Sequence, residues 1–184
     1  MNDYLNSKLY LFKKLIKENG SIVTDAYIPE VKKIKIISRK KKINLNLILD
    51  KKRGVQLISH KFENERQILS IRFRGKKYDF KLNLIGKLQI KNLLMAILCA
   101  AKNGIKLNNI IKILHKIKPV EGRLEKIGSI KNNSRVILDY AHTPIALETT
   151  LKNLKEQFPS SKISLVFGCG GERDFKKRFA MGKI

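Results

Sequence analysis

Two apolar segments near the C-terminal end of the chain run directly into polar turns, and a helical pattern separates them. The first is V-I-L-D-Y-A-H-T-P at residues 136–144, and the second is S-L-V-F-G-C-G-G-E-R-D at residues 164–174. Short β-branched, apolar runs of this kind predict buried strands of a parallel sheet. In such sheets ligands bind just beyond the carboxyl ends of the strands. The two segments therefore predict an α/β fold with a ligand site, of the kind that nucleotides occupy.

The first segment predicts a strand, a loop and a helix. Residues 136–138 form the strand, which ends at Asp139, a candidate ligand-facing acid. Thr143 and Pro144 have the order of a helix N-cap followed by proline at the first helical position. His142 lies in the loop beside that predicted helix N-terminus, whose N–H groups favour anions such as phosphate. The alternative is that Asp139 and His142 only brace the turn. The apolar face of the predicted helix is Leu147, Leu151, Leu154 and Phe158.

The second segment predicts a strand at Ile163–Phe167 followed by a glycine turn with an arginine at its exit. Glycines allow a tight turn that brings backbone N–H groups close to an anion. Arg173 can hold a carboxylate or phosphate with two parallel hydrogen bonds. The spacing is neither that of a dinucleotide fingerprint nor that of a phosphate loop. Taken alone, the glycines therefore favour a plain tight turn.

Three motifs carry a family resemblance. P-V-E-G-R-L-E at 119–125, D-Y-A-H-T-P at 139–144 and F-G-C-G-G-E-R-D at 167–174 together resemble the ATP-dependent Mur ligases, most closely their tripeptide-synthetase branch. Upstream, residues 84–100 are similar to the family segment G-x-F-N-x-x-N, with Leu88 and Gln89 in place of Phe and Asn. The N-terminal N-D-Y-L-N-S-K resembles the segment whose lysine becomes carbamylated, and Lys8 falls on that lysine. Asp25 stands where the family has an asparagine associated with the adenine pocket.

The resemblance implies a role for each of five residues. Arg123 and Asp139 would contact the nucleotide, and His142 would lie near its ribose or phosphates. Lys8, as a carbamate, would supply an oxygen ligand of the hard kind that Mg²⁺ prefers. Arg173 would bind the carboxylate of the incoming amino acid. For Lys8 the alternative is one more solvated lysine in a lysine-rich chain.

The resemblance also implies an activity. It is the ATP-dependent formation of an amide bond between UDP-N-acetylmuramoyl-L-alanyl-D-glutamate and a diamino acid, with meso-diaminopimelate the expected one. The reaction would pass through an acyl phosphate with ATP and Mg²⁺, and would serve peptidoglycan synthesis and so cell shape and division. We expect a cytoplasmic enzyme with no membrane or nucleic-acid partner, monomeric when complete.

The chain predicts parts of two domains rather than a whole enzyme. Residues 1–118 resemble the later part of a Mur ligase central ATPase domain, and residues 119–184 the start of its Rossmann-like C-terminal domain, with a linker at 118–123. No G-x-x-x-x-G-K-[ST] phosphate loop occurs in the sequence. We therefore expect an internal fragment that is inactive alone. In residues 1–118 the patterns predict strands at 34–37, 55–59, 68–73 and 78–84, helices at 89–103 and 107–116, and a helix end at Gly104.

Charge offers the main rival interpretation. The formal net charge is +25, with 40 Lys and Arg against 15 Asp and Glu. A basic nucleic-acid-binding domain is therefore one alternative, and a cyanophycin-type amide ligase fragment is another. The basic residues are spread over nearly all segments, however, and the densest runs carry no interleaved aromatics for base stacking. The two isolated cysteines predict neither a zinc site nor a disulfide framework, which fits a reducing cytoplasm.

Overall fold

The computed structural model describes residues 2–49, 54–170 and 175–184. The chain folds as two compact units. Unit 1 comprises residues 1–60, 69–80 and 91–114, and unit 2 comprises residues 61–68, 81–90 and 115–184. The elements in chain order are α1 (Asn2–Tyr10, continued by a π-helical turn Leu11–Leu15), β1 (Ser21–Asp25), α2 (Val31–Lys40), β2 (Asn44–Ile48), β3 (Val55–Glu63), β4 (Arg66–Phe73), β5 (Lys76–Leu82), α3 (Lys87–Lys102), α4 (Leu107–Ile113, followed by a 3₁₀ turn Leu114–Lys116), β6 (Glu125–Ile130, followed by a 3₁₀ turn Lys131–Asn133), β7 (Ser134–Leu138), α5 (Pro144–Gln157) and α6 (Phe175–Gly182).

The first five strands form one mixed sheet in the order β1-β2-β3-β4-β5. β1 and β2 pair in parallel from Ser21↔Asn44 to Asp25↔Ile48, and β2 pairs in parallel with β3 at Ile48↔Val55. Two-residue turns join β3 to β4 and β4 to β5, and turns this short join antiparallel neighbours. The predicted α/β fold class is confirmed. No helix of the part that the structure describes is long and apolar enough to cross a bilayer.

Unit 1 has a core between its helices and the parallel strands. Leu9 of α1, Ile22 of β1 and Ile34 of α2 are each at most 4% exposed and pack together with Ile43. The prediction of a strand at Ile34–Ile37 is wrong, because these residues lie in the helix α2. Val31, Ile34 and Ile37 recur every third residue and lysines fill the other face, which is a helical period that the short run I-K-I-I does not reveal by itself.

Most of the other predicted elements of residues 1–118 are confirmed. β3 begins at Val55, β4 ends at Phe73, and β5 covers most of the alternating segment that begins at Tyr78. α3 and α4 lie where helices were predicted. Gly104 follows α3 with a φ of +89°, the left-handed conformation that ends helices.

Unit 2 contains a two-stranded sheet of β6 and β7, with α5 and α6. The prediction that residues 136–138 form a buried parallel strand is wrong in two respects. β7 pairs antiparallel with β6, and Leu138 is 46% exposed. The predicted strand at 163–167 is also wrong, because this run has no regular structure and Val166 is 98% exposed. An apolar run becomes a strand only when a neighbouring strand pairs with it, and none of the described residues does so here.

An ion cluster joins the turn between β3 and β4 to the β6–β7 sheet. One carboxylate oxygen of Glu65 accepts hydrogen bonds from Nζ of Lys126 and Nε of Arg135, each at 2.8 Å. The hydrogen bond from Lys126, followed by that from Arg135, lowers the pKa of the Glu65 carboxyl below its usual value. All three residues belong to unit 2.

Candidate functional site

Two side chains of unit 2, Arg123 and His142, lie against one exposed aromatic ring, that of Tyr140. Tyr140, 64% exposed, follows β7, and the guanidinium carbon of Arg123 lies 5.0 Å from its ring centroid. The imidazole of His142 meets the same ring edge-on, with 5.1 Å between centroids. A guanidinium over an aromatic face is attracted by the ring's negative charge distribution. We call Arg123, Tyr140 and His142 the Tyr140 cluster. It presents a cation, an aromatic surface and an imidazole to solvent.

A backbone carbonyl contacts the ring of His142 and favours the tautomer that donates to it. Its Nδ1 lies 3.0 Å from the carbonyl oxygen of Tyr140. A carbonyl oxygen only accepts, so Nδ1 carries the proton in this contact and the neutral ring keeps its lone pair on Nε2. The exposed Nε2 can therefore accept a hydrogen bond from a ligand hydroxyl.

Backbone contacts on both sides hold the turn that carries Arg123. The side chain of Gln89 donates a hydrogen bond of 2.6 Å to the Arg123 carbonyl. The N–H of Leu124 donates to Oδ2 of Asp139 at 2.9 Å. Leu124 itself is 3% exposed and has a φ of +46°, so a buried side chain anchors a strained turn. These backbone contacts fix the position of the Arg123 backbone. Its guanidinium lies over the Tyr140 ring.

Asp139 is the brace of this cluster. Its Oδ1 accepts from the N–H of Ala141 at 2.9 Å and from the hydroxyl of Thr150 at 3.0 Å, while Oδ2 accepts from Leu124. One carboxylate thus ties the β7–α5 loop both to helix α5 and to the Arg123 turn. Each such hydrogen bond to a charged acceptor contributes about 1.5–3 kcal/mol.

Helix α5 begins as predicted. Its first residues leave fewer free backbone N–H groups with which the helix N-terminus could bind an anion. Thr143 is the N-cap, and its hydroxyl accepts from the N–H of Ala146 at 3.3 Å. Pro144, at the first helical position, has no N–H to offer. Two of the positions that would otherwise point N–H groups at an anion are therefore already used.

Side-chain amides of unit 2 support the segment before α3. Gln67 donates to the carbonyls of Leu84 and Gly86 at 2.6 and 3.2 Å. The Gly86 N–H donates to the buried Gln157 side chain of α5 at 2.9 Å, and the Leu88 N–H donates to Asn153 Oδ1 at 3.2 Å. These contacts fasten the start of α3 to α5 within unit 2.

Two predicted features of the resemblance lie in unit 1. Lys8 is exposed on α1, and its ammonium lies 4.5 Å from the centroid of the Tyr4 ring. The described residues contain no group of three or more His, Cys, Asp or Glu side chains that could hold a metal ion. As a carbamate, Lys8 would offer oxygen atoms of the hard kind that Mg²⁺ prefers as ligands.

Asp25, the residue in place of the family's asparagine, is 5% exposed. Its Oδ2 pairs with Nζ of Lys91 on α3 at 2.8 Å, and its Oδ1 accepts from the N–H of Tyr27 at 2.9 Å. A buried carboxylate needs such partners, because removing it from water without them is costly. The replacement is thus accompanied by a cation on α3.

Of the five predicted site residues, the structure brings Arg123, Asp139 and His142 together. Arg173 lies outside the described residues. Tyr140, around which the cluster forms, stood in the quoted motif D-Y-A-H-T-P without an assigned role. An exposed aromatic between an acid and a histidine was the available signal. The contact of Gln89 with Arg123 had no such signal, because 34 residues separate the two in sequence.

Comparison with known proteins gives the same family that the sequence motifs resemble. The family model of the Mur ligase middle domain matches residues 1–100, and that of the Mur ligase glutamate ligase domain matches residues 122–184. Among curated relatives, a UDP-N-acetylmuramoyl-L-alanyl-D-glutamate--2,6-diaminopimelate ligase from Rickettsia bellii is 36% identical over 99% of this chain and 38% of its own length. The protein of the same name from Rickettsia montanensis is 34% identical over 99% of this chain and 37% of its own length. The chain thus spans well under half of the curated relatives that it matches.

Solved structures show the same fold. A structure titled as the same kind of diaminopimelate ligase matches 99% of this chain and 37% of its own, with a TM-score of 0.66 and 23% identity. MurF from Acinetobacter baumannii matches 85% of this chain and 33% of its own, with a TM-score of 0.72 and 16% identity. A Mycobacterium tuberculosis folylpolyglutamate synthase complexed with ADP matches 74% of this chain and 30% of its own, with a TM-score of 0.61 and 20% identity. Because the middle-domain model covers more than half of the residues, the chain belongs to the Mur ligase family.

Proposed function

We propose that the chain is part of an ATP-dependent ligase that adds meso-diaminopimelate to UDP-N-acetylmuramoyl-L-alanyl-D-glutamate. The observation that carries the proposal is the Tyr140 cluster, which lies in the family's motifs and offers groups suited to a nucleotide. The relatives named for this reaction support it at 34–36% identity over nearly the whole chain. The chain covers 37–38% of those relatives, so other segments must supply the rest of the site.

The reaction would proceed in two transfers. The glutamate carboxylate of the muramoyl dipeptide attacks the γ-phosphorus of ATP, which gives an acyl phosphate and ADP. The amine of the diamino acid then attacks the acyl carbon, and phosphate leaves as the amide forms. In such reactions the protein contributes positioning and charge neutralisation rather than covalent chemistry.

The Tyr140 cluster would contribute on the nucleotide side. Arg123 would bind a phosphate oxygen, because guanidinium groups form charge-assisted hydrogen bonds with phosphate. The His142 Nε2 would accept a hydrogen bond from a ribose hydroxyl. Asp139 would act by holding both loops, since its oxygens already accept three hydrogen bonds from the chain itself. This is a more indirect role than direct contact with the nucleotide.

The remaining assignments complete the proposal. Lys8 as a carbamate would join ligands from outside the described residues around Mg²⁺, and Arg173 would bind the carboxylate of the diamino acid. The boundary between the central and C-terminal domains would lie near Lys118, and the enzyme would work in the cytoplasm.

The first experiment is to sequence the DNA on both sides of this reading frame and to express the longest frame that contains it. We expect a G-T-x-G-K-T segment upstream and a D-N-P-R-like segment downstream. We also expect the product to couple diaminopimelate to the muramoyl dipeptide with ATP, detected as the UDP-tripeptide by mass spectrometry. Stop codons on both sides, or a complete frame without coupling activity, would refute the proposal.

A variant of the complete enzyme tests the cluster itself. Arg123→Ala should raise the KM for ATP by about tenfold or more, because it removes a charged phosphate contact. Arg178→Ala is the matched control, since Arg178 also lies over an aromatic ring, that of Phe175, at 4.9 Å. An equal effect of the two substitutions would remove Arg123 from the nucleotide site.

A further inference from the structure

Unit 1 contains a basic concavity that the proposed function does not use. It lies where the turn between β4 and β5 meets the end of α3 and the start of α4, and its volume is about 570 Å³. Its cationic lining residues are Arg74, Lys76, Lys102 and Lys106. A second cavity of about 400 Å³ shares Arg74 and Lys102 with it. We call the larger cavity the Arg74 groove.

The cations of the Arg74 groove have no carboxylate partners among the described residues. No Asp or Glu is among the residues that line the groove. None of its four cations forms an ion pair with a carboxylate in the ranges that the structure describes. The neighbouring Lys77, by contrast, pairs with Asp79 at 3.3 Å. Concave surfaces lined by one sign of charge concentrate counter-ions. The groove therefore has a positive electrostatic potential that attracts anions.

The conformation of Arg74 is a second, independent observation. Arg74 and Gly75 form the two-residue turn between β4 and β5, with φ values of +49° and +79°. The first of these positions favours Asn, Asp or Gly, because other residues meet steric strain there. The corresponding turn between β3 and β4 uses Asn64, at a φ of +55°. Residues held in such strained conformations concentrate at functional sites.

The other lining residues indicate that a ligand of the groove carries an organic group beside its anionic group. Phe73, Tyr78, Ile105 and Leu107 supply aromatic and apolar surface beside the cations. The Arg74 guanidinium carbon lies 5.3 Å from the Phe73 ring centroid, which orients it. Ligand pockets of about 300–1,000 Å³ with an apolar lining and a few convergent polar groups are typical of small-molecule sites.

We propose that the Arg74 groove binds a small organic phosphate, with the phosphate on Arg74 and Lys102 and the organic part against Tyr78 and Ile105. This is a site additional to the proposed nucleotide contacts of Arg123, and it does not depend on the ligase assignment. Lys102 alone has another explanation, because a lysine in the last turn of α3 complements the helix dipole. That explanation does not extend to the strained Arg74 or to Lys76 and Lys106.

The test uses the 184-residue chain and phenyl phosphate, which combines a phosphate with a ring. Nuclear magnetic resonance titration follows the backbone amides of Gly104, which lines the Arg74 groove, and of Gly75, which lines the smaller cavity and follows Arg74 in the turn. We expect saturable shifts at both glycines. The double variant Arg74→Gln/Lys102→Gln should raise the Kd by about tenfold.

The matched control is Arg39→Gln/Lys33→Gln, which removes the same charges from the exposed face of α2. It should change the Kd by less than about twofold, since these residues lie outside the groove. Equal weakening in the two double variants would overturn the proposal in favour of diffuse attraction to a chain of charge +25. The absence of shifts at millimolar phenyl phosphate would also overturn it. A thymidine oligonucleotide that shifts both glycines when phenyl phosphate does not would replace it with a nucleic-acid site.

Discussion

Replacing Gly86 by alanine should strongly destabilise the chain. Gly86 has a φ of +82°, and a Cβ there would lie 2.7 Å from Leu124 Cδ1 and 3.0 Å from Asn153 Oδ1. The left-handed conformation costs alanine about 1–2 kcal/mol, and overpacking adds about 1–3 kcal/mol. Alanine also lowers the entropy of the unfolded chain, which stabilises the folded state by about 0.4–1 kcal/mol. From these terms we expect a net loss of about 3 kcal/mol in the free energy of unfolding.

Neither neighbour can move away cheaply. Leu124 is 3% exposed, and Asn153 accepts the hydrogen bond from the Leu88 N–H. Gly104→Ala is the matched control, because Gly104 has a φ of +89° but no heavy atom within 4 Å of the added Cβ. Urea unfolding followed by far-ultraviolet circular dichroism gives both free energies. If Gly86→Ala were no more destabilising than Gly104→Ala, the close packing of Gly86 against Leu124 and Asn153 would be refuted.

Two further predictions concern carboxylates of unit 2. Asp139→Asn should lower the free energy of unfolding by about 1–3 kcal/mol in the same urea assay. In one orientation the asparagine turns its NH₂ group toward the Leu124 N–H, and in the other it loses the hydrogen bonds at Oδ1. An unchanged urea midpoint would contradict the bracing role. Hydrogen bonds from Lys126 and Arg135 lower the folded pKa of Glu65 below its ordinary value of 4.5. The stability that the pairing adds is therefore present above that value and is lost as the pH falls through the folded pKa. The Glu65 side chain is 39% exposed, so Glu65→Gln should lower the free energy of unfolding by only about 0.5 kcal/mol at pH 7 and should not change it near pH 2. A difference between variant and parent that does not depend on pH would contradict the pairing.

The parts of the fold that the sequence predicted correctly depend on local chemistry. Thr143 and Pro144 start α5, and Gly104 ends α3, because a cap, a fixed φ and a left-handed turn each need one particular residue type. The alternating pattern of β5 is local in the same sense. Each of these signals can be found within a few residues of where it acts.

The errors concern elements whose form depends on distant partners. The run 163–167 has the composition of a strand, but a strand needs another strand beside it, and the sequence does not say which. β7 was predicted to be parallel because its run is short, apolar and β-branched, yet it pairs antiparallel with β6, the strand before it in the chain. The helix α2 was missed for a different reason, since four residues are too few to separate a period of two from one of 3.6.

The sequence selected the residues of the candidate site but not the contacts that arrange them. Asp139 and His142 were selected from one motif and Arg123 from another, whereas their arrangement depends on contacts between segments 15–34 residues apart. Asp139 at the end of a strand was expected to face a ligand, and the structure instead has it bonded to Leu124, Ala141 and Thr150. Its carboxylate oxygens are therefore occupied by donors of the chain itself. A phosphate approaching Arg123 would then meet a cation and an imidazole, while the Asp139 carboxylate is already committed to the chain's own donors.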